Sequence, residues 1–262
     1  DPTGDSLHVG SLIGLITLRR FQLAGHNVIA LAGGATGMIG DPSGKTQERT
    51  LQTTAQIDLN LAGIRRDMER ILIPGFTLRN NAEWASPMSV LQFLRDIGKH
   101  FTVNYMMAKE SVRARLEDRE HGISYTEFSY MLLQAWDFEV LYRENSCRLQ
   151  VGGSDQWGNI TAGIELIRRR NQGEAHGLTW PLLAKADGTK FGKSESGTIW
   201  LDPSKTSPYD FYQYWVTTSD EEVAPLLRQL SLRPLPALEA LIETHATARE
   251  KRIAQKALAG EM

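Results

Sequence analysis

The sequence predicts an α/β fold: a doubly wound parallel sheet followed by a helical C-terminal extension. Short apolar runs bounded by glycine alternate with stretches of helical period, the βαβ rhythm of a mostly parallel sheet with helices on both faces. Two of those runs, Asn27 to Ala32 and Arg148 to Gly153, lead directly into glycine-rich loops. After Pro208 the pattern is helical to the end. A chain of 262 residues, 41% hydrophobic and 23% charged, buries a sizeable core and excludes a disordered tail.

In order, Asp5 or Ser6 reads as the N-cap of a first helix, with Leu12, Leu15, Ile16 and Leu23 on its inner face and Gly25 at its end. Asn27 to Ala32 is a buried strand running into Gly33, Gly34 and Thr36. Leu59 to Leu72 is helical and Thr77 to Asn80 a short strand. Ser89 to Ile97, Tyr105 to Leu116 and Thr126 to Tyr142 are helices. Arg148 to Gly153 reads as a strand, Ile160 to Arg170 as a helix, and Leu178 to Leu183 as a strand. Lys185 to Gly197 is a polar loop too rich in Gly, Lys and Ser to be core.

Charge and cysteine content narrow the function classes. With 29 Lys plus Arg against 31 Asp plus Glu, net charge −2, there is no global attraction to nucleic acid or an anionic membrane, so any RNA or phosphate contact is local. The single cysteine, Cys147, has no internal partner, which fits a reducing compartment, and no apolar run approaches the length of a membrane span. These features read as a soluble protein, cytoplasmic or organellar, without a membrane association. The start at Asp1 and the stop at Met262 inside a helical pattern read as a fragment.

Two polar clusters carry candidate chemistry. The first is the turn Asp1-Pro2-Thr3-Gly4-Asp5-Ser6-Leu7-His8-Val9-Gly10-Ser11 leading into a helix. Backbone N–H groups there, with Thr3, His8 and Ser11, would form an anion site suited to a polyphosphate, and Gly10 would let a flat ring approach the backbone. An ordinary N-cap with His8 on the surface explains the same residues. The second is Lys190-Phe191-Gly192-Lys193-Ser194. Two lysines three apart on a glycine-rich loop lose side-chain entropy on ordering, which a negative partner would offset, although a solvated loop is also consistent with them.

A helix-start His-x-Gly paired with a later Lys-x-x-Lys-Ser loop resembles the signature pair of class I aminoacyl-tRNA synthetases. The intervening Gly33-Gly34-Ala35-Thr36-Gly37, Gly40-Asp41-Pro42-Ser43, Phe128-Ser129-Tyr130, Gly152-Gly153-Ser154-Asp155-Gln156-Trp157-Gly158-Asn159 and Ala186-Asp187-Gly188-Thr189 look like the catalytic region of a bacterial-type tyrosyl-tRNA synthetase. The resemblance runs over nearly the whole chain. It implies a Rossmann-like catalytic domain over 1–203, a helical dimerisation insertion at about 88–125, and the start of an α-helical domain over 204–262. It also implies a strand with a substrate-contacting tyrosine ahead of Asp1, and a C-terminal anticodon-binding region without which tRNA(Tyr) binding is weak.

Site roles follow from the resemblance and one helix face. Tyr130, Gln134 and Asp137 lie at i, i+4 and i+7 among Phe128, Leu132, Leu133, Trp136 and Phe138, so they form either a wet face or the polar wall of a pocket. As a pocket, Asp137 would accept a hydrogen bond from a phenol while Tyr130, Gln134 and Asp41 hold an ammonium and Gln156 orients a carboxylate. Asp1, Gly10, Ser11, Gly153, Asp155 and Ser194 would bind ATP, with Asp155 on the ribose or else an N-cap. Thr3, His8, Lys45, Arg49, Lys190 and Lys193 would meet the phosphates. Mg²⁺ would come with ATP, without a dedicated protein site.

Ser11 departs from the family, most members of which carry a second histidine there. Arg168, Arg169 and Arg170 read as cations complementing a helix C-terminus, or as an acceptor-stem contact. Phe93, Phe101, Tyr105, Met106 and Met107 supply a homodimer surface or ordinary core. Within the class, a tryptophanyl enzyme is disfavoured by Gln134 with Asp137. An RNA-binding scaffold without catalysis would need basic insertions, and none is visible.

Overall fold

A computed structural model describes residues 1–43, 52–117, 122–183, 191, 193–194 and 197–262, with residues 111, 193 and 194 described in their backbone alone. In chain order its elements are α1 (Leu12–Leu23), β1 (Ile29–Ala32), α2 (Thr54–Ile71), β2 (Thr77–Asn80), α3 (Ala82–Ala85), α4 (Val90–Asp96), α5 (Val103–Met107), α6 (Glu110–Glu117) and α7 (Tyr125–Asn145). They continue as β3 (Leu149–Gly153), α8 (Trp157–Asn171), β4 (His176–Trp180), β5 (Lys193–Ser194), β6 (Gly197–Thr198), α9 (Pro208–Val216), α10 (Asp220–Leu230), α11 (Leu235–Thr247) and α12 (Ile253–Glu261). None of the described helices is long and apolar enough to cross a membrane.

The chain divides into two compact units. The first comprises Asp1–Thr3, Ile29–Leu61 and Leu78–Leu182. In it β1 pairs with β2, and β3 runs parallel to β4 in the register Leu149↔His176 to Gly153↔Trp180, the crossover being α8. Its centre is α7. Ser124 caps that helix by accepting from the Glu127 N–H, and Ser146 ends it in the left-handed region at φ 54°. Met131, Leu132, Ala135, Trp136 and Val140 of α7 pack with Ala162 and Leu166 of α8 and with Ile97, Phe101 and Met106. Gly163 is where the two helices touch: a Cβ there would lie 2.9 Å from the Phe138 ring.

The second unit comprises Gly4–Val28, Ala62–Thr77 and Leu183–Met262, and it contains the 203/204 boundary expected from sequence. Its core is Val9, Ile13, Trp215, Val223, Leu227, Leu230 and Leu258, all buried. Ser207 caps α9, with Pro208 in the first turn where its missing N–H costs nothing, and Ser219 caps α10. Gly63 of α2 admits the backbone of Asp5, whose carbonyl oxygen would stand 1.8 Å from an added Cβ.

Several expectations need correction. Neither Asp5 nor Ser6 caps the first helix: Ser6 Oγ donates to Asp67 Oδ2 at 2.9 Å, Asp5 pairs with Lys205, and a 3₁₀ turn (Val9–Ser11) capped by His8 precedes α1. The helix expected at Tyr105 to Leu116 is two helices. No glycine or proline marks the break, and Lys109, which follows it, swings to Thr161 Oγ1 (3.0 Å) and over the Tyr105 ring. The last parallel strand, β4, starts two residues and ends three residues earlier than expected, stopping before Pro181, which has no N–H for a ladder. Arg168, Arg169 and Arg170 stand in the last turn of α8, as read from sequence, and are paired as well, Arg168 and Arg169 with Glu165 and Arg170 with Glu139.

Candidate active site

Two sets of site residues assemble, one in each unit. In the first unit Asp137 is buried on α7, 3% exposed, and accepts two hydrogen bonds, from Asn81 Nδ2 at 2.9 Å and from Trp84 Nε1 at 2.8 Å. An ionised carboxylate has about four acceptor positions, so these donors leave about two for a ligand. Burial pushes the Asp137 pKa up to about 6 against the pull of the two donors. Asn81 is itself fixed: its Oδ1 accepts from the Ala35 N–H at 2.8 Å, and its Nδ2 also reaches Thr36 Oγ1 at 2.9 Å.

Two turns earlier on α7, Tyr130 is buried and its hydroxyl donates to Asp1 Oδ2 at 2.9 Å, while Asp1 Oδ1 accepts from Thr36 Oγ1 at 2.7 Å. Gly33 makes this approach possible, since a Cβ there would lie 2.3 Å from Asp1 Oδ1. Asp1, placed on the nucleotide side by resemblance, is therefore joined to Tyr130 and Thr36, the groups leading to Asp137. Gln134, between Tyr130 and Asp137, is partly buried and makes no side-chain hydrogen bond among the described residues.

Asp41 and Gln156 meet directly. Asp41 Oδ2 accepts from Gln156 Nε2 at 2.6 Å and Oδ1 from the Ser43 N–H at 2.9 Å, while Asn159 Nδ2 bonds Gln156 Oε1 at 3.1 Å. Asp155 does not cap α8 with its side chain. It lies against the end of β3, where a Cβ on Gly153 would come 2.6 Å from its Oδ1, and burial raises its pKa, with the Asp41 charge adding to the rise. Thr3 is exposed, and its carbonyl accepts from Gln52 Nε2 at 3.2 Å.

The second unit holds both signature segments. His8 Nδ1 accepts from the Gly10 N–H at 3.0 Å, and a Cβ on Gly10 would lie 2.7 Å from the ring, so the flat group this glycine admits is the imidazole of His8 itself. His8 is exposed as a residue, yet partial desolvation lowers its pKa, favouring the neutral form whose Nδ1 accepts. Ser11 precedes α1 without a side-chain cap bond. His8 pairs with Trp200 in an isolated antiparallel bridge. Lys193 and Ser194 form β5, paired with β6. Lys45, Arg49 and Lys190 lie outside the described residues, as do the side chains of Lys193 and Ser194.

Sequence reasoning missed Asn81, Trp84 and Thr36 as site residues. The usable signal was indirect: a carboxylate among apolar neighbours requires donors, and a tryptophan N–H is a donor only.

The family described as tRNA synthetases class I (W and Y) matches residues 1–262. A tyrosine–tRNA ligase of Bacillus caldotenax is 57% identical over 100% of this chain and 63% of that protein, and one of Bacillus subtilis is 54% identical over the same shares. The chain thus spans 63% of the length of these relatives. A C-terminally truncated mitochondrial tyrosyl-tRNA synthetase of Aspergillus nidulans superposes with a TM-score of 0.84 at 32% identity, covering 100% of this chain and 78% of that one. With its parallel strands, flanking helices and helical C-terminal part, the chain has a Rossmann-like α/β fold and belongs to the class I tRNA synthetases of the W and Y type.

Proposed function

We propose that this chain carries the activation of L-tyrosine with ATP, giving tyrosyl-adenylate and pyrophosphate, and the transfer of the tyrosyl group to the 3′ end of tRNA(Tyr). The observation that carries this reading is Asp137, a buried carboxylate held by Asn81 and Trp84 with acceptor positions to spare. A phenol hydroxyl fills such a position, whereas a phenyl ring leaves it desolvated and unpaired. Tyr130, Gln134 and Asp41 receive the ammonium, joined by Asp1 through its bond to Tyr130, and Gln156 faces the carboxylate. Gly153 and Asp155 take the ribose, and Gly10, Ser11 and Ser194 the rest of the nucleotide.

In the reaction the tyrosine carboxylate attacks the α-phosphorus. The bond to the bridging oxygen breaks, and its electron pair leaves on pyrophosphate. The nucleophile is already an anion, so no general base is required. Catalysis lies in positioning and in neutralising charge on the leaving group, the tasks of Thr3, His8, Lys45, Arg49, Lys190 and Lys193. ATP arrives as its Mg²⁺ complex, the metal held by phosphates and water. Lys193→Ala is expected to slow activation by about 100- to 1,000-fold, by analogy with the loss of one donor to a developing oxyanion, with tyrosine affinity unchanged in equilibrium dialysis. A variant that loses tyrosine affinity at an unchanged rate contradicts this assignment.

Tyrosine-dependent exchange of pyrophosphate into ATP by the intact protein tests the reading. Exchange with tryptophan in its place, or tight RNA binding without exchange, overturns it. The pH dependence of tyrosine binding follows from Asp137. The phenol bonds the ionised form, so affinity is full above the pKa and falls as protons titrate the carboxylate. With that pKa at about 6, tyrosine binds about tenfold more weakly at pH 5 than at pH 7.5. A dissociation constant flat over that range assigns the phenol to other groups.

A homodimer and a cytoplasmic location belong to the same proposal. Phe101 and Met106, offered from sequence as contact residues, are core. Among the described residues, the large exposed apolar side chains of that region are Val90, Leu91, Leu94, Val103, Met107, Leu116 and Tyr125, and we assign the dimer surface to the first five, on α4 and α5.

A further inference from the structure

The reaction proposed above leaves one residue of the lysine-rich segment without a task. Phe191 is the lone aromatic between Lys185 and Gly197. Its ring lies 5.9 Å from that of Tyr214 at 79° and 5.8 Å from that of Trp215 at 46°. Trp215 is fully buried and also packs on Phe211 at 6.2 Å and Tyr214 at 5.1 Å. Residues 211, 214 and 215 stand at i, i+3 and i+4, one face of α9, so that face forms an aromatic seat for a residue of the loop.

The backbone on the other side of Gly192 is attached differently. Lys193 pairs with Thr198 and Ser194 with Gly197. Beyond Thr198 the chain runs alongside the first signature segment: the Ile199 carbonyl accepts from the Val9 N–H at 3.0 Å, the Leu201 N–H donates to the Leu7 carbonyl at 2.9 Å, and Trp200 bridges His8. The backbone at 191 also borders that segment, since a Cβ on Gly10 would lie 3.9 Å from the Phe191 carbonyl oxygen. A ladder of two residue pairs is a weak restraint by itself, and two-stranded hairpins are marginal in water. A second fixed point within two residues of Lys193 holds the register that the hairpin alone does not.

We propose that Phe191 is a positioning residue, its ring seated on Tyr214 and Trp215 so that the backbone from Phe191 to the paired Lys193 is held beside the His8 segment. The inference rests on the proposed adenylation, and the ring's role is to hold the main chain rather than to touch substrate.

Phe191→Ala and Phe191→Met in the intact protein test it, through the single-turnover rate of adenylate formation, tyrosine affinity by equilibrium dialysis without ATP, and the rate of trypsin cleavage after Lys190 and Lys193. Phe191→Ala is expected to slow adenylate formation by about 10- to 100-fold, the cost of small misplacements remote from the chemistry, with tyrosine affinity kept within about twofold. Trypsin is expected to cut Phe191→Ala about tenfold faster, because the anchored segment opens more readily. Phe191→Met, which refills the seat with an apolar side chain, restores both to within about threefold of the parent. An unchanged rate in Phe191→Ala, an equal loss of tyrosine affinity, or unchanged proteolysis overturns the assignment. If Phe191→Ala loses its fold by circular dichroism, Phe191→Val carries the same comparison. Failure of the parent protein to exchange pyrophosphate overturns the adenylation reading instead, and proteolysis still decides whether the ring anchors the segment.

Discussion

Replacing Asp137 by asparagine is expected to lower the preference for tyrosine over phenylalanine by about 10- to 150-fold, the equivalent of the roughly 1.5–3 kcal/mol of a hydrogen bond to a charged group. The amide is nearly isosteric with the carboxylate but carries a donor where the site supplies donors. If its oxygen faces Trp84 Nε1, its nitrogen faces Asn81 Nδ2, and turning it over reverses the conflict. Asn81 has no easy compensating flip, since its Oδ1 already accepts from the Ala35 N–H. The variant thus removes the anion that a phenol needs and leaves a buried donor unmatched, which also costs about 1–3 kcal/mol of stability. Ratios of kcat/KM for the two amino acids in pyrophosphate exchange, with ATP affinity as the internal reference, check the expectation. Unchanged selectivity removes Asp137 from phenol recognition.

The same residue shows where sequence reading stopped. Its place on the helix face with Tyr130 was legible, because period and apolar neighbours define that face locally. Its partners were not: Asn81 and Trp84 are more than fifty positions upstream, Trp84 in a four-residue helix of unremarkable sequence, Ala-Glu-Trp-Ala, and Asn81 just before it. Contacts between distant segments depend on the packing of strands and helices, on which local period is silent. β2 is the converse case. The structure gives Thr77–Asn80, the short strand read there from sequence, because its ends are set by local turn residues. His8 lies between these cases. Its segment was identified, but the bond from the Gly10 N–H to its own Nδ1 depends on backbone geometry that the motif does not spell out.

Glu127→Ala is expected to destabilise the first unit by about 3–5 kcal/mol, the cost of leaving one member of a buried ion pair without its partner. Arg115 of α6 binds Glu127 of α7 through two parallel bonds, Nη1 to Oε1 and Nη2 to Oε2, each 2.9 Å, and its Nε donates to the Gly122 carbonyl at 2.9 Å. Both side chains are almost wholly buried, so without the carboxylate the guanidinium keeps a full charge and too few acceptors in a medium that solvates it poorly. Removing both charges is a different experiment. Arg115→Met with Glu127→Leu fills similar space without a charge to solvate, and is expected to recover most of the loss, since a buried pair taken as a whole contributes little net stability. The functional weight of the pair comes from its position in the first turn of α7, three residues before Tyr130 and ten before Asp137. Urea unfolding of the single and double variants separates the terms. If Glu127→Ala alone costs less than about 1 kcal/mol, the guanidinium reaches water and the pair is not buried in solution. If the double variant regains stability but tyrosine affinity stays low, the pair holds the α7 register that Asp137 needs in addition to contributing to folding.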